Sequence, residues 1–222
     1  MTGTIRRRWK YFIAIFLLVA GSVVGTADAW SQANMATGTA KKSKADISFR
    51  ISTALSLSQS RFSELLDFFD KHRGVTDEIT FFTSITHPPP KLEDLKQRVG
   101  IFRSRMEQAR KRGYKPGINV LNTVGHHDEN MENALDGSYT RMTDINGQVC
   151  KGAFCPNDEN FREQYVAEVY KATALANPDY IWIDDDVRMQ GHGPVRHACF
   201  CDICIKKFNN ETGSAYTRES LK

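Results

Sequence analysis

The sequence predicts an α/β fold in which parallel strands alternate with helices, and three observations carry that expectation. Short β-branched or apolar segments are each followed by a stretch with helical periodicity, four times over. Polar residues gather at the ends of the strand segments. No G-x-G-x-x-G or G-x-x-x-x-G-K-[ST] motif follows any strand, which argues against a nucleotide site.

The first unit pairs an extended segment, Phe49 to Thr53, with a helix whose Phe62, Leu65, Leu66 and Phe69 share one face and which Gly74 closes. The second pairs Glu78 to Thr83 with a long helix after Pro88-Pro89-Pro90. Its Leu92, Leu95, Val99, Phe102, Met106 and Ala109 recur at spacings of three and four, and Gly113 ends it. Gly117 to Val124 reads as the third strand. About 30 residues of irregular sequence follow it, far more than an ordinary βα connection and of a length that usually serves function. Within them, Thr143 to Val149 has the pattern of a hairpin turning at Asn146-Gly147. A third helix is expected from Asn160 to Ala176, a fourth strand from Tyr180 to Asp184 after Pro178, and a fourth helix from Asp202 to Phe208. Four such units in succession imply right-handed crossovers, as in a doubly wound sheet or a (β/α)8 TIM barrel. The polar strand ends favour the barrel, of which the chain would supply the first four βα units, a half barrel and a fragment of a longer protein. Half a barrel would expose two unpaired strand edges, which invites a homo-oligomer.

The 222 residues are 41% hydrophobic and 25% charged, a globular composition with a net charge of +4. Most of that charge precedes the folded part. Arg6, Arg7, Arg8 and Lys10 stand before an apolar run, Tyr11 to Val24, that ends in Ala27-Asp28-Ala29, so residues 1–29 read as a signal peptide. The run is short for a bilayer span; an uncleaved anchor is the rival reading, and the arginine pair also permits a twin-arginine route. Secreted or periplasmic placement follows. Residues 30–44 lack periodicity and read as a flexible leader, leaving 45–222 as the domain. With residues 1–29 set aside, 26 basic residues face 25 acidic ones, a net of +1 that argues against a nucleic-acid or anionic-membrane partner.

Two constellations could carry chemistry. Asp184, Asp185 and Asp186 end the fourth strand, and alternation places Asp184 and Asp186 on one face. Adjacent carboxylates repel, raising at least one pKa toward the range a general acid needs. The cluster could equally be solvated, paired with Arg188, or hold a hard divalent cation. The second constellation is Cys199-Phe-Cys201-Asp-Ile-Cys204, with Cys155 upstream and Cys150 left over from five cysteines. Four thiolates fit a closed tetrahedral zinc site, in which the ion braces a loop and activates no water. Disulfides are the rival in a secreted chain, although five cysteines cannot all pair internally and adjacent C-x-C thiols bridge poorly. His126 and His127 follow the third strand and could bind substrate hydroxyls or stand exposed in the loop. His192 and His197 lie between the constellations. Trp182 is expected in the core rather than as a sugar platform.

Together these residues resemble the glycoside hydrolase family 42 β-galactosidases and related uncharacterised glycosidase-like TIM barrels. In that family the fourth strand ends in Asp-Asn-Glu, a C-x-C-x-x-C motif follows after a short loop, and a Tyr-Cys-Pro segment precedes the third helix. Here Phe154-Cys155-Pro156 takes that last place and Ile205-Lys-Lys-Phe208 continues the motif, so the likeness runs from about Ile118 onward. The resemblance implies zinc at Cys155, Cys199, Cys201 and Cys204 and assigns Cys150 no ligand role. It makes Asp186 the candidate acid/base. Asp185 then stands where the family's Asn holds a sugar hydroxyl, with Asp184, Arg188, His126 and His127 as further substrate-binding candidates. Asp186 is one methylene shorter than Glu, and an ionised Asp185 cannot donate as Asn does, so galactosidase activity itself is not expected. The second carboxylate of such an enzyme would come from the family's seventh strand. A secreted glycoside hydrolase-like protein is therefore the first expectation, and a non-catalytic carbohydrate-binding or assembly module with a structural zinc the second. A divalent-metal hydrolase built on the three Asp with His126 or His127 is the third.

Overall fold

The computed structural model describes residues 45–222, apart from Thr86, His87, His127, Glu129, Ser138, Asp185 and Asp186. The expected signal peptide and leader lie outside the described residues. So do three of the site candidates, His127, Asp185 and Asp186.

The mixed α/β architecture expected from the alternating pattern is present. Strands β1 (Ser48–Ile51), β2 (Glu78–Phe82), β3 (Lys115–Val120) and β6 (Tyr180–Ile183) form one parallel sheet in that order. Helices α1 (Thr53–Leu57) and α2 (Gln59–Lys71) connect β1 to β2, α3 (Leu92–Lys111) connects β2 to β3, and α4 (Ala167–Leu175) precedes β6. Between β3 and α4, β4 (Arg141–Thr143) and β5 (Val149–Phe154) make the expected antiparallel hairpin. Helix α5 (Asp202–Thr212) follows β6. Asp46–Lys222 forms one compact unit. Among the described residues no helix is long and apolar enough to cross a membrane.

The two faces of the sheet differ sharply. Side chains alternate along each strand, so Phe49, Ile51, Ile79, Phe81, Ile118 and Val120 fall on one face. That face meets the helices: Phe49 packs on Phe69, and Phe81 lies 5.6 Å from Phe62 of α2 and 5.4 Å from Phe102 of α3. Burial of this aromatic layer is the main apolar contribution to the fold. The opposite face is polar. Ser48, Thr80 and Tyr180 meet there, with Thr80 Oγ1 2.7 Å from Ser48 Oγ and 2.6 Å from the Tyr180 hydroxyl. A Cβ at residue 117 would sit 2.2 Å from the Tyr180 ring, so Gly117 is what lets that ring cross β3 and reach Thr80 and Ser48.

Two departures from the sequence expectation have local causes. β3 ends at Val120 instead of continuing to Val124, because the Leu121 N–H donates to Thr83 Oγ1 and the Asn122 amide to the Pro88 carbonyl, which pulls the chain out of the ladder. The expected helix from Asn160 to Ala176 opens with a wide π turn, Phe161–Val166. That turn sets Phe161 and Tyr165 in one stack with Phe154, at 4.9 and 5.5 Å. Asp158 anchors the same turn by accepting from Thr140 N–H at 2.6 Å and from Phe161 N–H. Burial alone would raise its carboxyl pKa, but these amide donors pull it below the ordinary value. A depressed folded-state pKa contributes stability that is full above the unfolded value of about 4 and is lost as pH falls through the folded one. Asp158→Ala should therefore lose about 1–2 kcal/mol at neutral pH, and urea denaturation should show the gap from the parent narrowing below about pH 4.

Candidate metal centre

The hairpin and the start of α5 build the cysteine cluster. Cys155 follows β5 directly, while Cys199 and Cys201 lie in the stretch leading to α5, whose N-cap is Cys201 and whose first turn carries Cys204. The Phe200 N–H donates to the Thr143 carbonyl at 2.7 Å, which docks this stretch on β4, and the Cys155 N–H donates to the Thr140 carbonyl at 2.7 Å. Gly125 completes the support from the β3 side. It forms a bridge with Ala153 at a φ of +89°, and a Cβ there would lie 1.9 Å from the Gly152 carbonyl oxygen, so only glycine fits.

The four ligand atoms all lie within 4.8 Å of one another. Cys155 Sγ is 3.3 Å from Cys204 Sγ and 3.6 Å from Cys201 Sγ. A tetrahedral ion with bonds of about 2.3 Å needs sulfurs about 3.8 Å apart, so the set fits a metal with little adjustment. All five cysteines are free thiols, as a metal cage requires and a disulfide framework does not. Cys155, Cys199 and Cys201 are buried, and the Asn157 amide donates to Cys204 Sγ at 3.3 Å. Crowding forces the thiols to share charge unequally. Cys155, donating to Cys199 and its neighbours, is held strongly protonated. Cys199, in contact with Cys155, is pulled far below the usual thiol range, and Cys201, whose Sγ lies 3.6 Å from that of Cys155, to about 7. Cys204 gains anionic character from Cys155, but Cys199, Cys201 and burial outweigh this and push it up. A divalent cation resolves the conflict by favouring all four thiolates at once.

Cys150 stands apart. It is buried, its thiol donates to Asp128 Oδ1 at 3.5 Å, and burial together with the Asp128 charge pushes its pKa up to about 12, leaving an inert side chain. Asp128 also accepts from the Gly152 N–H at 2.7 Å, tying the loop after β3 to β5.

The remaining candidates fall into two groups. Arg188 Nη2 donates to His126 Nε2 at 2.7 Å, while the Arg188 carbonyl accepts from His192 Nε2 at 2.6 Å. His192 is fully buried against His126 with ring centroids 5.1 Å apart, so these residues fasten the loop between β6 and the cysteines. Asp184, at the C-terminal end of β6, accepts from Asn119 Nδ2 at 3.1 Å and faces Arg50 Nη1 at 3.7 Å. Sequence reasoning passed over Arg50 and Asn119. The signal was present in the alternation of β3, which sets Asn119 opposite Ile118 and Val120. Trp182 departs from its expected core position: it is 48% exposed on the polar face, in register with Asn119.

A parallel α/β sheet with a four-cysteine candidate metal centre built on the β4–β5 hairpin and the start of α5 thus defines the class of the protein. No family model matches the chain, and neither a curated protein nor a solved structure is significantly similar to it.

Proposed function

We propose that this chain belongs to a secreted glycoside hydrolase-like protein, that its four βα units are part of a (β/α)8 barrel, and that zinc occupies the cysteine cage as a structural ion. One observation carries the reading: the four cysteines gather at the end of the loop that leaves β6, the strand whose C-terminal end bears the three Asp. That edge is where barrel enzymes place their chemistry. A closed four-sulfur ion has no open position for water, so the zinc braces the loop while carboxylates act on the substrate. Asp186 is the acid/base in this reading. It protonates the leaving glycosidic oxygen, and a second carboxylate outside these four units lies about 5.5 Å away for retention or 6.5–9.5 Å for inversion. His126, through the Arg188 contact, holds the loop beside the substrate.

A non-catalytic carbohydrate-binding or assembly module is the second reading, favoured by Asp184 being engaged with Arg50 and Asn119 instead of standing ready for proton transfer. Asp186→Asn separates the two in the full gene product. In a catalyst, turnover of aryl glycosides falls by about a hundredfold or more with sugar binding retained, whereas in a binding module affinity alone changes. Absence of any saturable sugar binding by the parent protein removes the catalytic and the carbohydrate-binding readings and leaves assembly alone.

A further inference from the structure

The cysteine cage is uneven in its access to solvent. Cys155, Cys199 and Cys201 are buried, whereas Cys204 is partly exposed. The exposed ligand also has a close sulfur neighbour. Cys155 Sγ lies 3.3 Å from Cys204 Sγ, a shorter contact than its 3.6 Å to Cys201 Sγ. The Asn157 amide, two residues after Cys155, donates to Cys204 Sγ at 3.3 Å and holds that sulfur toward the end of the hairpin. We propose that Cys204 is a site of oxidation by peroxides and that Cys155 resolves it, giving a Cys155–Cys204 disulfide in exchange for the metal. This rests on the metal reading given above and adds a second state of the same cage.

Access and proximity select the pair. A metal-bound thiolate keeps a lone pair and remains a nucleophile, and a peroxide arriving from solvent meets Cys204 first. The Cys204 sulfur attacks one peroxide oxygen; the O–O bond breaks, leaving a sulfenic acid on Cys204 and releasing hydroxide. Cys155 Sγ then attacks Cys204 Sγ, and the S–S bond forms as the S–O bond breaks and a second hydroxide leaves. Two protons from solvent convert both hydroxides to water, so the two sulfurs have given up two electrons and the peroxide has taken them. A disulfide bond of about 2.05 Å asks the sulfurs to close by about 1.2 Å from their present separation. Rival pairings are poorer. Cys199 and Cys201 are separated by one residue, and C-x-C thiols bridge badly. Cys150 lies outside the cage, buried, with its thiol on Asp128 Oδ1. With two of its four ligands spent, the cage no longer holds an ion. The new bond spans the junction that the ion would brace, since Cys155 follows β5 and Cys204 sits in the first turn of α5. Metal loss by this route leaves α5 fastened to the hairpin and frees Cys199 and Cys201 as thiols.

The test uses the full chain, reduced, loaded with zinc and titrated with hydrogen peroxide. A chromogenic chelator reads metal release, and alkylation followed by non-reducing peptide mapping reads the linkage. One zinc released per disulfide formed is expected, with Cys155–Cys204 as the main linkage, Cys199 and Cys201 alkylated, and reversal by dithiothreitol and added zinc. Cys204→Ser, compared with the parent in the metal-free state so that lost zinc affinity does not confound it, should slow disulfide formation about tenfold or more. An equal rate in that variant would overturn Cys204 as the point of attack. A main linkage other than Cys155–Cys204, Cys204 oxidised singly with Cys155 still a thiol, or four intact thiols at a peroxide excess that fully oxidises glutathione would each overturn the pairing. A parent that binds no zinc yet forms the same disulfide would remove the metal reading while the Cys155–Cys204 pairing stood.

Discussion

Cys201→Ser should abolish stoichiometric metal binding and lower stability by about 4 kcal/mol or more, because loss of a structural metal ranks with the largest single-residue effects. Cys201 is the N-cap of α5 and its sulfur sits 3.6 Å from Cys155, so it joins the hairpin to the helix that follows β6. Structural zinc is worth about 10–16 kcal/mol in small peptides that are unfolded without it. With zinc in the cage only a share of that is expected here, since the Thr143 and Thr140 carbonyls already dock the two segments. Without the ion, four thiols remain crowded within 4.8 Å with their charge divided among them, which is a poor substitute for four bonds to a cation. Elemental analysis of the parent should find one zinc per chain, and chelation should bring its thermal midpoint down to that of the variant. Less than about half an equivalent of metal, with a midpoint indifferent to chelator, would sink the metal centre.

Phe81→Ala should cost about 3–5 kcal/mol, the range for deleting a fully buried phenylalanine. Its side chain is completely enclosed at the middle of β2, between Phe62 of α2 and Phe102 of α3. Neither helix can close the gap alone, because Arg105 ties α3 to both neighbouring helices: its Nη1 donates to Gln59 Oε1 of α2 and its Nε to the Ser56 carbonyl of α1 at 3.1 Å. Phe68→Ala makes the control. That residue sits on the solvent side of α2, half exposed, and its loss should cost about 1 kcal/mol or less. Chemical denaturation of both variants measures the difference; equal effects would mean that the sheet and helices are not joined through this aromatic layer.

The helices were the most legible part of the chain. In α3 the apolar spacing alone marks the buried face, since Leu95, Val99, Phe102, Met106 and Ala109 are all buried. The C-x-C-x-x-C cluster was legible for a similar reason, because three of the four sulfurs lie within six residues and a helix N-terminus brings them together. Cys155 was harder to separate from Cys150. Their spacing of five residues puts them on opposite sides of an extended segment, and only the docking of β5 determines which side faces Cys204.

Sequence by itself determined what depends on neighbours along the chain: the alternation of strands and helices, the Asn146-Gly147 hairpin, and the local metal-ligand spacing. Tertiary structure decided what depends on residues brought together from separate strands. The π turn at Phe161 follows from a ring stack begun by Phe154 in another element. Trp182 reads as core because a strand of a parallel sheet is apolar on both sides, and nothing in the run Tyr180 to Ile183 says which side stays open. The structure leaves Ile181, Trp182 and Ile183 all exposed, and the partners across the sheet come from other strands: Gly117 makes room for Tyr180, Arg50 of β1 lies over the indole, and Asn119 of β3 pairs with Trp182 in register. Side-chain pairing across strands is a long-range property, and one-dimensional periodicity carries no record of it.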